Sequence, residues 1–226
     1  MLYVVATPIG DINEISLRAL EVLKSAEVVI CESTKETSRF LKAHNIKAQS
    51  YEVLNEHSTQ EDIKILGEIC ATKTVALVSD CGTPSFCDPG FQMVDYCRRN
   101  NIATKSVLGA SSLMGLLSLA SEQIKEFYFR GFLPAENESR DQHWRALSTE
   151  KNAIIVMDTP YRLKKTVAEL AQHFPQRKIL LILNLTQADE QIIETLGQKL
   201  PGALNLEKAE FMALIYSEKL AEKAKK

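Results

Sequence analysis

The segment Asp80–Gly90, with the sequence DCGTPSFCDPG, holds the residues whose types and spacing are best suited to binding a ligand. It follows an apolar, strand-like run, leads into a predicted helix, and contains two aspartates, two prolines and two glycines. Glycine and proline impose a tight, irregular path that leaves backbone N–H groups outside any sheet or helix. Such donors near a helix N-terminus suit a carboxylate or a phosphate. The segment therefore predicts a ligand-binding loop rather than a plain turn.

Two shorter segments, Ala6–Asp11 and Leu108–Ser112, also directly follow predicted strands. Each alone is equally typical of an ordinary turn, and Ser111 is a plausible helix N-cap. Because parallel strands present their carboxyl ends at one edge of a sheet, the three segments together could line one crevice.

The apolar pattern that must position these loops is that of an α/β protein. In the first half, unbroken apolar runs predict strands at Leu2–Ala6, Val28–Cys31, Val75–Ser79 and Ala103–Val107. Helical periodicity follows Ser16 and recurs at Thr34–His44, Gln60–Ala71 and Asp88–Asn100. This alternation predicts a largely parallel sheet.

The second half begins after a polar stretch at Glu122–Glu126, which predicts two α/β domains, 1–121 and 122–226. Strands are predicted at Phe127–Gly131, Ala153–Met157, Lys178–Asn184, Gln191–Thr195 and Phe211–Tyr216, and helices at Arg140–Ser148 and Pro160–His173. No long helix separates the last three strands, which favours a mixed sheet. The polar tail Ser217–Lys226 is expected to be a frayed helix or disordered.

Composition narrows the class of protein. The chain has 226 residues, 45% of them hydrophobic, and a formal net charge of −2, so no general basic field gathers nucleic acid. Five scattered cysteines predict neither a disulfide framework nor a metal site. No run is long enough to cross a membrane, and Pro8 and Gly10 interrupt the apolar N-terminus. We therefore expect a cytoplasmic protein without a structural metal.

Five segments in this order resemble the tetrapyrrole methylase superfamily, and within it the bacterial small-subunit ribosomal RNA ribose 2′-O-methyltransferases. They are VATPIGDINEISLRAL from Val5, ALVSDCGTPSFCDPG at Ala76–Gly90, the loop Gly109–Ser112, FRGFLPAENESR at Phe129–Arg140 and DTPYRL at Asp158–Leu163. The resemblance implies S-adenosylmethionine bound in a cleft between two α/β domains, a homodimer, and RNA or a ribosomal subunit as partner. It also implies that the cofactor is held by loops that lack the GxGxxG pattern.

Carried over by position, the resemblance implies a set of cofactor-binding residues from four strand ends. They are Pro8, Ile9, Gly10, Gly82, Thr83, Phe86, Ser111, Ser112, Met157 and Asp158. A hydroxyl acceptor also needs a base to take its proton. Glu32, Asp80 and Asp158 are the candidates, and spacing does not choose among them.

The residues that the resemblance places on the acceptor side depart from the family pattern. Leu183, Asn184 and Gln187 stand where the family usually carries arginine, glutamate and lysine. Three hypotheses therefore stay open: methylation of ribosomal RNA at a ribose hydroxyl, methylation of another acceptor, and a cofactor-binding module that has lost transfer.

A basic and aromatic group in the second half could also contact RNA. Its members are Arg130, Arg140, Arg145, Arg162 and Trp144. A solvated helix face with a packed tryptophan explains them equally well. His57 is expected in a surface loop.

Overall fold

The structure, a computed structural model, describes residues 1–218 and divides into two compact units. The first unit is Met1–Ser111 and the second begins at Ser112, whereas the sequence-based boundary follows Ser121. The difference is the short helix Ser112–Ser118, which belongs to the second unit because its Leu116 is fully buried among residues of the second sheet. Most of the predicted polar tail lies outside the described residues.

The first unit contains one five-stranded sheet in which every strand pair is parallel. Its strands are β1 (Leu2–Val5), β2 (Val28–Cys31), β3 (Tyr51–Val53), β4 (Val75–Leu77) and β5 (Thr104–Val107), in the spatial order β3-β2-β4-β1-β5. Its helices are α1 (Leu17–Ser25), α2 (Thr34–Ala43), α3 (Gln60–Thr72) and α4 (Gly90–Arg99). The predicted parallel sheet is confirmed, and β3 is an additional edge strand.

The second unit contains a mixed five-stranded sheet, as predicted. Its strands are β6 (Phe127–Phe132), β7 (Ala153–Asp158), β8 (Lys178–Leu183), β9 (Gln191–Leu196) and β10 (Phe211–Ile215), in the order β6-β7-β10-β8-β9. Only β6 and β7 pair in parallel. Its helices are α5 (Ser112–Ser118), α6 (Asn137–Ser148), α7 (Leu163–His173) and α8 (Leu200–Ala203).

Strand register brings the carboxyl ends of four strands in the first unit to one edge. Val4 of β1 lies opposite Leu77 of β4, and Leu77 lies opposite Ile30 of β2. Val5 lies opposite Val107 at the end of β5. These central strands are buried on both faces, between clusters that include helices on either side of the sheet. The loops that follow them are therefore fixed by a rigid scaffold.

The helices α1 and α2 begin close to this edge, and a serine side chain caps the N-terminus of each. The Ser16 hydroxyl accepts from the backbone N–H of Ala19 at the start of α1, as predicted, and the Ser33 hydroxyl accepts from that of Glu36 at the start of α2. No helix within residues 1–218 is both long and apolar enough to cross a membrane.

Candidate functional site

The three segments singled out in the first half of the sequence come together at the carboxyl edge of the first sheet. Thr7 and Gly82 exchange two backbone hydrogen bonds, of 2.8 and 3.1 Å, which join the loops after β1 and β4. The Thr83 hydroxyl donates to the carbonyl oxygen of Ala110 at 3.1 Å, which joins the loops after β4 and β5. One crevice edge is thus built from three loops within a single unit.

Two glycines allow these loops to approach one another closely. Gly82 has φ of +79°, and a Cβ there would lie 3.3 Å from the Ile9 side chain. A Cβ at Gly109 would lie 3.0 Å from that of Ala6 and 3.3 Å from its carbonyl oxygen. Larger residues would push the loops apart, so the edge depends on glycine at both positions.

The second half of the β4 loop is organised by Asp88. Its Oδ1 accepts from the backbone N–H groups of Ser85 and Gly90, at 2.8 and 2.7 Å. Ser85 and Cys87 both adopt the left-handed region, with φ of 72° and 67°, which non-glycine residues rarely do. The donors that the sequence predicted for a ligand at this helix N-terminus are therefore engaged by the protein's own carboxylate at these two positions. Strain of this kind is typical of functional loops.

The remaining predicted residues of this unit differ in exposure. Pro8 and Ile9 are half-buried beside the Thr7–Gly82 bridge, and Gly10 is exposed. Phe86 is 53% exposed on the strained part of the loop. Ser111, the last residue of the unit, is half-buried.

Two of the three candidate bases lie side by side at the ends of β2 and β4. The backbone N–H of Asp80 donates to Glu32 Oε1 at 3.4 Å. Partial burial raises the pKa of the Glu32 carboxyl; the backbone N–H of Asp80 lowers it, and the charges of Asp80 and Asp88 raise it further. No lysine or arginine among residues 1–218 forms an ion pair with Glu32. The carboxylate is thus poised to accept a proton.

A pocket of about 60 Å³ opens at Asp80, the second of these carboxylates, whereas Glu32 is not among its lining residues. Its lining combines the loops after β1 and β4 with the first turns of α2, and consists of Thr7, Pro8, Glu36, Thr37, Phe40, Val78, Ser79 and Asp80. Small-molecule sites usually enclose roughly 300–1,000 Å³, so this pocket holds only a fragment of a ligand. The α2 residues were not predicted as part of a site, because nothing in a helical pattern marks the turn that faces a strand end.

The candidates of the second unit have a different environment. Both oxygens of Asp158 are engaged: Oδ2 by Arg140 Nη1 and the Thr166 hydroxyl, at 2.6 and 3.0 Å, and Oδ1 by Arg162 Nη1 and the Thr159 N–H, both at 2.8 Å. Its side chain is fully buried. A carboxylate so engaged has no free lone pair for a substrate proton, which makes Asp158 far less suited than Glu32 to act as a base.

Arg140 is the centre of this buried ion cluster. Its guanidinium, 0% exposed, also donates to Glu169, to the Thr166 hydroxyl and to the carbonyl oxygen of Pro134. It therefore ties the loops after β6 and β7 to helix α7. Burial by itself lowers the pKa of Arg140, but its bonds to the two carboxylates raise it overall. Met157 is half-buried and packs against the apolar cluster that contains Leu116 of α5, and Ser112 is half-buried at the start of that helix.

The basic and aromatic residues of the second half do not form one exposed surface. Trp144 is fully buried against Phe174 and His173, and Arg140 is buried with it on helix α6. The packed tryptophan was a correct alternative, while the solvated position expected for Arg140 was wrong.

No group of three or more potential metal ligands occurs in the part of the chain that the structure describes.

Two of the three positions that depart from the family pattern, Leu183 and Asn184, are structural. Leu183 is fully buried in the core of the second unit. Asn184, with φ of 48°, accepts from the Glu210 N–H at 3.0 Å and donates to Asp189 at 2.7 Å. These two residues close the turn after β8 rather than offering a charge.

Two solved structures place this fold among known methyltransferase folds. Uroporphyrin-III C-methyltransferase from Thermus thermophilus, complexed with S-adenyl homocysteine, matches with a TM-score of 0.63 at 16% identity over 99% of both chains. Diphthine synthase matches with a TM-score of 0.69 at 17% identity over 96% of this chain and 90% of that one. Both likenesses show the fold alone, which is that of a two-unit α/β protein.

The sequence comparisons give the family. The family profile of the tetrapyrrole (corrin/porphyrin) methylases matches residues 1–201. A Neisseria meningitidis protein named ribosomal RNA small subunit methyltransferase I is 34% identical over 219 residues, 95% of this chain and 75% of the relative. A Leptospira biflexa protein of the same name is 36% identical over 193 residues, 85% and 80% of the two chains. The chain belongs to the tetrapyrrole methylase family and is a methyltransferase, which confirms the resemblance.

Proposed function

We propose that this enzyme transfers a methyl group from S-adenosylmethionine to a ribose 2′-hydroxyl of small-subunit ribosomal RNA, as a cytoplasmic homodimer. The observation that supports the donor is the three-loop edge built by Thr7–Gly82 and Thr83–Ala110. The relatives named ribosomal RNA small subunit methyltransferase I support the acceptor.

The residues at this edge fit the charge of the cofactor. Gly82 and Gly109 let the three loops pack closely into one edge, because a Cβ there would crowd Ile9 and Ala6. Glu32 and Asp80 place negative charge beside it, which favours a ligand that carries sulfonium and ammonium groups. S-adenosylmethionine supplies a methyl group that its sulfonium already activates. The protein then needs mainly to hold donor and acceptor in line.

Within this proposal Glu32 is the general base. It lies at the end of β2, is half-buried, and has a raised pKa without a cationic partner in residues 1–218. Partial burial raises the pKa of the Asp80 carboxyl as well, so Glu32 is preferred to Asp80 only because Asp80 is more exposed; Asp158 is fully engaged. A carboxylate whose pKa is raised takes up a proton more readily, which a hydroxyl acceptor requires.

The acidic edge also favours a second candidate function, which is methylation of an acceptor other than RNA. Glu32, Glu36, Asp80 and Asp88 lie in or beside the β2 and β4 loops, where phosphates would be repelled. This candidate shares the cofactor and differs only in the acceptor.

The cofactor part of the proposal is tested by calorimetric titration. We expect S-adenosylmethionine and S-adenosylhomocysteine to bind at one site per chain. Adenosine alone should bind more weakly, because it lacks the amino-acid part that the loops contact. Absence of binding by both cofactor forms at millimolar concentration would contradict every function considered above.

The homodimer is tested by light scattering. A measured mass equal to that of a single chain would contradict it.

Gly90→Ala is expected to weaken S-adenosylmethionine binding roughly 5- to 100-fold, the equivalent of about 1–3 kcal/mol of overpacking. The added Cβ would lie 2.8 Å from Asp88 Oδ1, 2.9 Å from Ser85 Oγ and 3.0 Å from the Ser85 nitrogen. The strained loop must therefore move. Gly202→Ala is the matched control, because a Cβ there meets nothing within 4 Å. Unchanged affinity in the Gly90 variant, measured by calorimetry, would remove this loop from the binding site.

A further inference from the structure

Tyr161 is an exposed aromatic side chain held in a fixed position on the second unit. It lies in the 3₁₀ turn Pro160–Arg162, directly after β7, and is 81% exposed. The turn is anchored on both sides: the Arg162 N–H donates to the Thr159 carbonyl at 2.9 Å, and its guanidinium donates to the buried Asp158 at 2.8 Å. Proline at the first position fixes the backbone further. The ring is thus presented to solvent at little further cost in backbone entropy.

A lysine lies over the ring. The Lys208 ammonium is 3.8 Å from the centroid of Tyr161. The pair forms because β10 runs antiparallel to β7, with Phe211 opposite Asp158, so the segment before β10 passes beside the turn after β7. A cation at this distance is attracted by the ring and restricts its rotation.

The charge around the pair is basic, in contrast to the acidic edge of the first unit. Residues 158–165 and 204–210 carry four lysines and arginines against three acids. Asp158 is neutralised by two arginines and Glu207 by Lys164. Lys165 and Lys208 have no carboxylate partner among residues 1–218, although Lys165 donates to the Asn137 amide. Glu210 is the third acid of these segments.

From this juxtaposition we infer that Tyr161 and Lys208 form a contact site for single-stranded RNA, with a nucleobase stacked on the tyrosine ring and a phosphate paired with the lysine. The inference rests on the proposed RNA acceptor. A fixed aromatic ring beside a lysine is the combination that single-stranded nucleic acid recognition uses, because every base offers a π-face and every nucleotide a phosphate. The site follows β7 by three residues and lies within the second unit.

The test measures binding of a fluorescein-labelled single-stranded RNA of mixed sequence by fluorescence anisotropy over a range of salt concentrations. Tyr161→Ala is expected to weaken binding roughly 5- to 100-fold, while Tyr161→Phe keeps the stacking face and stays close to the unaltered protein. Lys208→Gln is expected to reduce the slope of log affinity against log salt by about 0.7, the loss of one phosphate contact. Tyr128→Ala and Lys151→Gln, exposed residues elsewhere in the unit, serve as controls.

The outcomes separate the site from the function on which it rests. Equal RNA affinity of the Tyr161→Ala variant and the unaltered protein would overturn the site while leaving the RNA acceptor standing. Equal losses in Tyr161→Ala and Tyr161→Phe would overturn stacking. No RNA binding by the unaltered protein would overturn the RNA acceptor and the site together. Unchanged S-adenosylmethionine affinity in each variant verifies that the fold is intact.

Discussion

Glu32→Gln lowers the rate of methyl transfer to a hydroxyl acceptor by about 100- to 10,000-fold, the usual contribution of a general base, and weakens S-adenosylmethionine binding far less, because Asp80 still supplies negative charge at this edge. The amide has the shape of the carboxylate but cannot take the acceptor proton. Single-turnover transfer of labelled methyl groups measures the loss directly, because it isolates chemistry from product release.

The comparison with neighbouring carboxylates decides the assignment. Asp80→Asn and Glu36→Gln remove charge from the same edge without removing the proposed base, so we expect much smaller losses from both. Because the pKa of Glu32 is raised, the rate should rise with pH as the carboxyl ionises, with its midpoint above the ordinary value for glutamate. Glu32→Gln should lose this dependence. A full loss in Asp80→Asn with a mild effect in Glu32→Gln would transfer the role to Asp80.

Arg140→Met is expected to destabilise the second unit by about 3–5 kcal/mol, because it leaves Asp158 and Glu169 buried without their cation. Such a change is a large part of the 5–15 kcal/mol that typically stabilises a domain. The single tryptophan, Trp144, is buried one turn further along α6 in the same unit. Its fluorescence during urea unfolding therefore reports this unit specifically.

Arg145→Met, on the exposed face of α6, is the matched control and should change stability little. Replacing Arg140, Asp158, Arg162 and Glu169 together with apolar residues should regain much of the loss, because no charge of the cluster is then left unpaired. If Arg140→Met unfolds at the same urea concentration as the unaltered protein, the buried cluster does not carry the stability assigned to it.

The fold followed from the sequence where apolar patterns were long. The central strands were predictable from their apolar runs. The helices that begin after Ser16 and Ser33 were predictable from their helical periodicity, with which these N-caps agree. The edge strand Tyr51–Val53 was not, because its three residues are too short and too exposed to form an apolar run.

The site was predictable only in part, for a similar reason. The three loops could be expected at one edge, since parallel strands end together, but the bonds between Thr7 and Gly82 depend on which strands are neighbours. The partners of Asp158 lie 18 and 4 residues away in sequence, at Arg140 and Arg162, and Arg140 reaches it only because helix α6 packs on the second sheet. The role of Asp88 had a local signal: an acid two residues before a helix that begins with glycine after proline.

The central claim is most directly tested by incubating the enzyme with methyl-labelled S-adenosylmethionine and isolated small ribosomal subunits, and then digesting the RNA to nucleosides. We predict label in a 2′-O-methylated nucleoside of the small-subunit RNA, and none in large-subunit RNA or in a small-molecule extract. Label confined to the small-molecule extract, or no label in any fraction from an enzyme that binds the cofactor, would contradict the account.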